Sequence, residues 1–181
     1  MINQIIRSVK KEDAQKLADI YAPYVENTAV SFEYKAPSAK EFEGRIEKIT
    51  KKYPFIVIEE NCDIKGYAYA SEFKNREAYD FSVELSVYVD EKEKHKGYGR
   101  MLYNEIEKRL KEQNILNLYA CIAYTECEDE YLTNDSMKFH EHMGFKLIGT
   151  FHSCGYKFNR WYDMIWMEKI IGEHNRISSV K

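Results

Sequence analysis

The spacing of apolar residues changes period several times along the chain, and each change marks a new element. Ile5, Ile6 and Val9 predict a short opening strand over 2–9, and Ala14, Leu17, Ala18, Tyr21 and Val25 then share one face of an amphipathic helix. A second helix is signalled by Pro37, by Ser38 with Glu41 three residues later as a capping box, and by Phe42, Ile46 and Ile49 on one side; Pro54 stops it. From Phe55 the period falls toward two. Residues 55–60, a turn at Asn61-Cys62-Asp63 and residues 64–71 predict a β-hairpin. The cleanest alternation follows: Phe81, Val83, Leu85, Val87 and Val89 interleave with Ser82, Glu84, Ser86, Tyr88 and Asp90, giving a strand with two chemically different faces.

A basic loop with two glycines, residues 94–99, leads into a helix over 100–112 with Leu102, Ile106 and Leu110 inward. Residues 118–124 predict another apolar strand. An acidic loop, 126–130, precedes a short helix over 136–143, and strands follow near 146–150, 155–158 and 161–169. Residues 172–181 have little to bury and predict a frayed tail. Strands alternate with helices in the middle and hairpins flank them, so the order predicts an α/β domain with a mixed sheet covered by helices. A length of 181 residues suits one such domain, over residues 1–171.

Composition sharpens the picture in two places. Fifteen Tyr, nine Phe and two Trp supply large amphipathic surfaces suited to a tight pocket or a subunit interface, besides plain core packing. A net charge of −3 lacks the basic footprint of nucleic-acid binding or of anionic membranes. No apolar run reaches the roughly 20 residues of a membrane span, and the N-terminal residues build no signal-peptide core, so a cytoplasmic location is expected. Cys62, Cys121, Cys127 and Cys154 form no C-x-x-C pair and read as reduced thiols. His140-Glu141-His142 has the wrong spacing for a zinc helix, and no metal site is expected.

The segment from Ser82 to Lys111 is the most informative. Gly97 and Gly99 let the main chain approach a ligand, and the amides that open the following helix carry unpaired N–H donors. Lys94, Lys96 and Arg100 and the helix dipole add positive potential, which together suit a pyrophosphate. An isolated G-x-G is more often a tight turn. This one is no dinucleotide fingerprint, because Met101-Leu102 stand where the third glycine belongs, and no Walker loop.

Lys94-His95-Lys96-Gly97-Tyr98-Gly99, behind the strand 84–89, resembles the acetyl-CoA loop of the GNAT N-acetyltransferase superfamily, R/Q-x-x-G-x-G/A. Six further segments are similar, in order, to phosphinothricin N-acetyltransferases: residues 29–34 (AVSFEY), 66–70 (GYAYA), 78–79 (AY), 84–89 (ELSVYV), 140–145 (HEHMGF) and 155–163 (GYKFNRWYD). The resemblance implies the GNAT acyl-CoA N-acyltransferase fold, a central mixed β-sheet flanked by helices with a splayed acetyl-CoA cleft. It implies acetyl transfer from acetyl-CoA, without a metal, to the amine of a small amino-acid-like substrate of the phosphinothricin or methionine sulfoximine type, by direct attack in a ternary complex. It also implies a homodimer, with the aromatic stretch 156–166 as the place to look for the interface.

The site residues follow from the same matches. Glu84, which alone would read as a solvent-facing strand residue, takes the role of general base; His140 is the second catalytic candidate, assisting the amine or protonating the departing thiolate. Acetyl-CoA is expected on the main chain of Val87, Tyr88 and Val89, on Lys94, His95, Lys96, Gly97, Tyr98, Gly99 and Arg100, and on Thr133, Asn134 and Ser136. The family places an asparagine where Thr133 stands, with Asn134 one residue late, and His95 and Lys94 also depart from the usual pattern. For the acceptor, Arg76 and Tyr79 are candidates to hold a carboxylate or phosphinate, and Phe32, Glu33, Tyr156 and Lys157 to line the same cleft, with surface charge or core packing as the alternative for each.

Two other readings stay open: acetylation of a different amine, such as a protein N-terminus or a polyamine, and a non-catalytic acyl-CoA-binding module. Thiol release from acetyl-CoA with a panel of amines separates both from the first.

Overall fold

Seven strands form one open sheet in the order β1-β2-β3-β4-β5-β7-β6, in a computed structural model that describes residues 4–175. They are β1 (Gln4–Ser8), β2 (Phe55–Glu60), β3 (Asp63–Glu72), β4 (Ser82–Val89), β5 (Asn117–Tyr124), β6 (Lys146–Lys157) and β7 (Arg160–Ile170). Every neighbouring pair is antiparallel except β4 with β5. The helices are α1 (Ala14–Glu26), α2 (Ala39–Thr50), α3 (Tyr98–Glu112) and α4 (Asp135–His142).

The alternation of β4 divides the core in two. Val83 and Leu85, with Val87 and Val89 packed at the margin, join Leu102, Tyr103, Ile106 and Leu110 of α3 and Met143 and Phe145 behind α4. On the opposite face Tyr88 packs with Tyr67, Phe55 and Val57 against Leu17, Tyr21 and Val25 of α1 and Phe42 and Ile46 of α2. A third small cluster, Ala29, Leu132 and Tyr162, closes the end of the sheet beneath the acidic loop.

Several boundaries differ from the sequence expectation for identifiable reasons. The third helix begins at Tyr98, not Arg100, because Gly97 at φ +86° turns the chain directly into its first turn. Residues 146–157 form one strand where two short ones were expected; register irregularities between Leu147 and Gly149 and between Phe151 and Gly155 interrupt its alternation without ending it. Of the tail expected over 172–181, residues 176–181 lie outside the described residues, and Glu173, His174 and Asn175 are exposed.

The capping box at the start of α2 is formed in both directions. Ser38 Oγ accepts from the Glu41 amide at 3.3 Å, and Glu41 Oε2 accepts from the Ser38 amide at 2.7 Å. Ser38→Ala should therefore cost about 0.5–2 kcal/mol in urea denaturation without changing the slope.

Candidate active site

β4 and β5 pair over only three rungs, Ser82↔Asn117, Val83↔Leu118 and Glu84↔Tyr119. Past Glu84 they diverge, since β4 remains in register with β3 as far as Val89 and β5 with β7 as far as Tyr124. The cleft between them is lined by Leu85, Ser86, Val87 and Tyr88 on one side and Ala120, Cys121, Ile122 and Ala123 on the other, with Val30, Leu132, Ser136 and His140 at its walls. Alternate main-chain groups of β4 thus lack a strand partner on the β5 side. Val89 O is already engaged, accepting from Tyr24 Oη at 2.6 Å.

The loop beyond β4 curls into a concavity. His95 and Gly97 adopt positive φ, +63° and +86°, and Met101 N makes the first bond of α3 back to Gly97 O at 3.1 Å. The amides of Tyr98, Gly99 and Arg100 precede that bond, as in any helix-end anion site. The two glycines serve different needs. At Gly97 there is space for a Cβ but the backbone is left-handed, whereas at Gly99 a Cβ would press to 3.3 Å from the Phe139 ring. The cations are partly committed: Lys94 Nζ lies 5.2 Å from the Tyr24 ring centroid, and Lys96 pairs with Glu93, which also holds Lys65. A roomier groove lies elsewhere, between α2 and α3 around Tyr53, Pro54 and Arg109, where charges of both signs are mixed. The chemistry, not the volume, marks the site.

Glu84, on the last paired rung, is half-buried. Burial raises its pKa above the ordinary carboxylate value, opposed by Lys74. Lys74, which sequence reasoning passed over, has its Nζ 5.1 Å from the Phe73 ring centroid and 5.8 Å from that of Trp166. Phe73 stacks on Tyr119 at 4.3 Å and meets Tyr79 edge-on. Arg76 and Tyr79 lie on the exposed turn that enters β4, Tyr79 within a single turn of 3-10 helix and Arg76 at its start.

His140 is in the cleft wall but deeply buried, 4% exposed. Its Nδ1 lies 2.7 Å from Ser136 O, a carbonyl that only accepts, so the proton sits on Nδ1. Nε2 is then the acceptor for Tyr103 Oη at 2.6 Å. Desolvation pushes the pKa down to about 4, so the ring is neutral near pH 7. In this arrangement both ring nitrogens are engaged, and the neutral imidazole carries no spare proton for a departing thiolate.

The start of α4 is organised by the acidic loop. Glu128 accepts from Asn134 N and Lys138 Nζ; Asp129 accepts from Tyr131 N, Leu132 N, Arg160 and Tyr162 Oη. Asn134 Nδ2 donates to Thr125 O at 2.9 Å, and Thr133 Oγ1 to Asp135 at 2.9 Å. Both side chains expected on acetyl-CoA are thereby bonded within the protein, and Ser136 alone of the three lines the cleft.

The remaining acceptor candidates are each engaged within the protein. Glu33 is held by Arg45, with both oxygens within 3.0 Å of Nη2, and by Tyr21 Oη. Phe32 rests over Gly155, and Tyr156 is exposed, its hydroxyl bonded to Asn159. Lys157 is 4% exposed and turned inward, its ammonium bonded to three main-chain carbonyls; it corrects the expectation of a cleft-lining residue.

A pH test follows from His140. Its folded pKa is depressed below the unfolded value near 6.5, so its contribution is full above that value and is lost as pH falls toward 4. The shift corresponds to on the order of 3 kcal/mol. In urea titrations from pH 7 to 4, His140→Phe should be less stable than wild type at pH 7, where Tyr103 loses its acceptor, and the gap should narrow on acidification. Parallel curves would mean that the ring is not held neutral.

Comparison with known proteins agrees with this geometry. The model of the acetyltransferase (GNAT) domain matches residues 6–166. Phosphinothricin N-acetyltransferase of Streptomyces viridochromogenes is 32% identical over 160 residues, 88% of this chain and 83% of that protein. The L-methionine sulfoximine/L-methionine sulfone acetyltransferase of Salmonella typhimurium is 27% identical, covering 93% of this chain and 95% of that one. The crystal structure of a GNAT phosphinothricin acetyltransferase from Sinorhizobium meliloti with acetyl-CoA superposes with TM-score 0.85 at 32% identity, covering 93% of this chain and 89% of that one. The open mixed sheet, its short parallel junction and the match over residues 6–166 place the chain in the GNAT acetyltransferase family.

Proposed function

We propose that this chain transfers the acetyl group of acetyl-CoA to the amine of a small amino-acid-like substrate of the phosphinothricin or methionine sulfoximine type. The observation that supports the reading is the end of the β4–β5 pairing at Glu84, beyond which β4 lines a cleft and its chain runs on into the helix-end loop at Gly97. The curated relatives named above act, by their names, on such amines.

The residues divide the work as follows. The amides of Tyr98, Gly99 and Arg100, with Lys94, His95 and Lys96 on the approach, hold the pyrophosphate of the acyl donor. The main chain of β4 from Val87 to Val89 takes the rest of the donor and supplies hydrogen bonds to the thioester carbonyl as negative charge develops. Glu84 accepts a proton from the substrate ammonium; a carboxylate with a raised pKa is the better matched base. His140 contributes as a fixed neutral wall. A thiolate whose conjugate thiol has a pKa near 8.5 leaves without obligatory protonation. Arg76 and Tyr79 orient the acceptor's anionic group, with Lys74 beside them as a further cation.

We also read the active species as a homodimer. Leu147, Ile148, Phe151 and Tyr156 of β6 and Trp161 at the start of β7 are all between 42% and 63% exposed, apolar surface suited to a second copy. Sedimentation of wild type against Trp161→Glu tests this, with a shift to monomer expected.

Free-thiol release with a panel of amino acids, phosphinothricin, methionine sulfoximine, polyamines and an N-terminal peptide tests the substrate class; release with only the last two would replace it. Gly99→Asp puts a charged side chain into the cradle and against Phe139, and should weaken acetyl-CoA binding by about tenfold or more in calorimetry. Glu84→Gln should lower kcat/KM sharply at neutral pH and recover part of the loss as pH rises and the amine deprotonates unaided. A wild-type pH profile in that variant would remove Glu84 from the base role.

A further inference from the structure

The buried ammonium of Lys157 has no evident place in the chemistry above. It lies on β6 at 4% exposure, and its hydrogen bonds go to main chain: Val25 O at 2.6 Å, Thr28 O at 2.8 Å and Ser31 O at 2.6 Å. An ammonium has three N–H donors, so the group is saturated and offers nothing to a ligand. Val25 lies in the last turn of α1, where carbonyls point outward and the helix dipole is negative. Thr28 and Ser31 belong to the irregular stretch 27–34 between α1 and α2.

That stretch borders the acceptor side of the sheet. Val30 lines the cleft between β4 and β5. Tyr21, whose hydroxyl bonds Ser31 and Glu33 of the stretch, meets the Tyr88 ring edge-on at 4.7 Å, and Tyr88 shares a face of β4 with Glu84, the proposed base. Without regular structure its carbonyls have no ladder to bond to, and the three that meet at Lys157 would otherwise face one another in a dry interior. The stretch is pinned to β6 twice more: the Phe32 ring covers Gly155 so closely that a Cβ there would come within 2.3 Å of it, and Tyr34 Oη donates to Tyr156 O. Phe158 adds its ring, 5.2 Å from Nζ.

We propose that Lys157 is a positioning residue for acceptor recognition: its ammonium gathers the Val25, Thr28 and Ser31 carbonyls and so fixes the stretch 27–34 that walls the acceptor side of the cleft. A neutral amide has two N–H donors and leaves one carbonyl unmet; a thioether leaves all three. The proposed pyrophosphate loop at the start of α3 makes no hydrogen bond to residues 27–34 among those described; its tie to α1 runs through Tyr24, which bonds Val89 O. The inference rests on the cleft's being the acetyl-transfer site, and the two fail in different ways.

The experiment compares wild type, Lys157→Met and Lys157→Gln with Gly155→Ala, which presses on Phe32 from the other side and leaves the ammonium in place. In Lys157→Met the KM for the amine should rise about tenfold or more, with a smaller fall in kcat and the KM for acetyl-CoA changed less than about twofold; Lys157→Gln should lie between. Hydrogen exchange should quicken at amides 27–34 and stay unchanged in the first turn of α3. Gly155→Ala should show the same split, and decides the matter if Lys157→Met does not fold. An unchanged amine KM in a folded variant, equal rises in both KM values, or unchanged exchange at 27–34 would overturn the proposal. Wild type that binds acetyl-CoA and acetylates no amine would instead overturn the functional reading, leaving the exchange arm to judge Lys157.

Discussion

The site depends on a competition for strand partners. β4 is committed along its length to β3, and β5 to β7, so the two halves of the sheet each keep their own twist and share only three rungs. A longer parallel ladder would satisfy more main-chain hydrogen bonds and erase the cleft. Because pairing ends at Glu84, the strand beyond it presents unpaired main chain, and the antiparallel ladder with β3 keeps that main chain rigid as far as Val89. The loop from Asp90 to Gly97 then delivers the N-terminus of α3 at the open end. Glu84, the unpaired end of β4 and the helix-end loop therefore succeed one another along one uninterrupted stretch of chain.

Three ionisable groups are taken from water near this cleft, and each meets the desolvation penalty differently. Glu84 keeps partial exposure and a distant cation, and its pKa rises. His140 gives up its charge and becomes a hydrogen-bonded neutral ring. Lys157, whose pKa burial lowers, gathers three carbonyl dipoles. Of the three, Glu84 alone has no hydrogen-bond partner among the described residues that fixes its charge state, and the same desolvation that raises its pKa lowers those of the other two.

The sequence discloses the elements well and their meetings poorly. Leu17, Tyr21 and Val25, the Ser38–Glu41 box and the alternation of Val83 to Val89 are local patterns, and the structure contains each. Gly97 and Gly99 are legible as a loop entering a helix, since positive φ and close approach both restrict residue choice. What the sequence withholds is set by distant partners. Lys157, between Tyr156 and Phe158, looks like a surface charge, yet its acceptors lie 126 to 132 residues away. The role of His140 turns on Tyr103, 37 positions earlier, and that of Asn134 on Thr125 across the loop. Motif similarity can assign such a residue a place in a cleft but carries no information on what already occupies its polar atoms.

The abundance of tyrosine over phenylalanine has a structural use in this light. Tyr21, Tyr24, Tyr103 and Tyr162 are all buried, and each hydroxyl bonds to a different element from the one its ring is built on. Tyr24 ties α1 to the end of β4, Tyr103 ties α3 to His140 of α4, Tyr162 ties β7 to Asp129 of the acidic loop, and Tyr21 ties α1 to Ser31 and Glu33. Phenylalanine would fill the same volume and leave those partners without their bond. Packing alone brings layers together with some freedom to slide, whereas a hydroxyl with one acceptor at 2.6 to 3.0 Å fixes the register of the layers. The ties fall where strand pairing is missing, around the open half of the cleft, so the side chains supply the rigidity that the sheet gives up there.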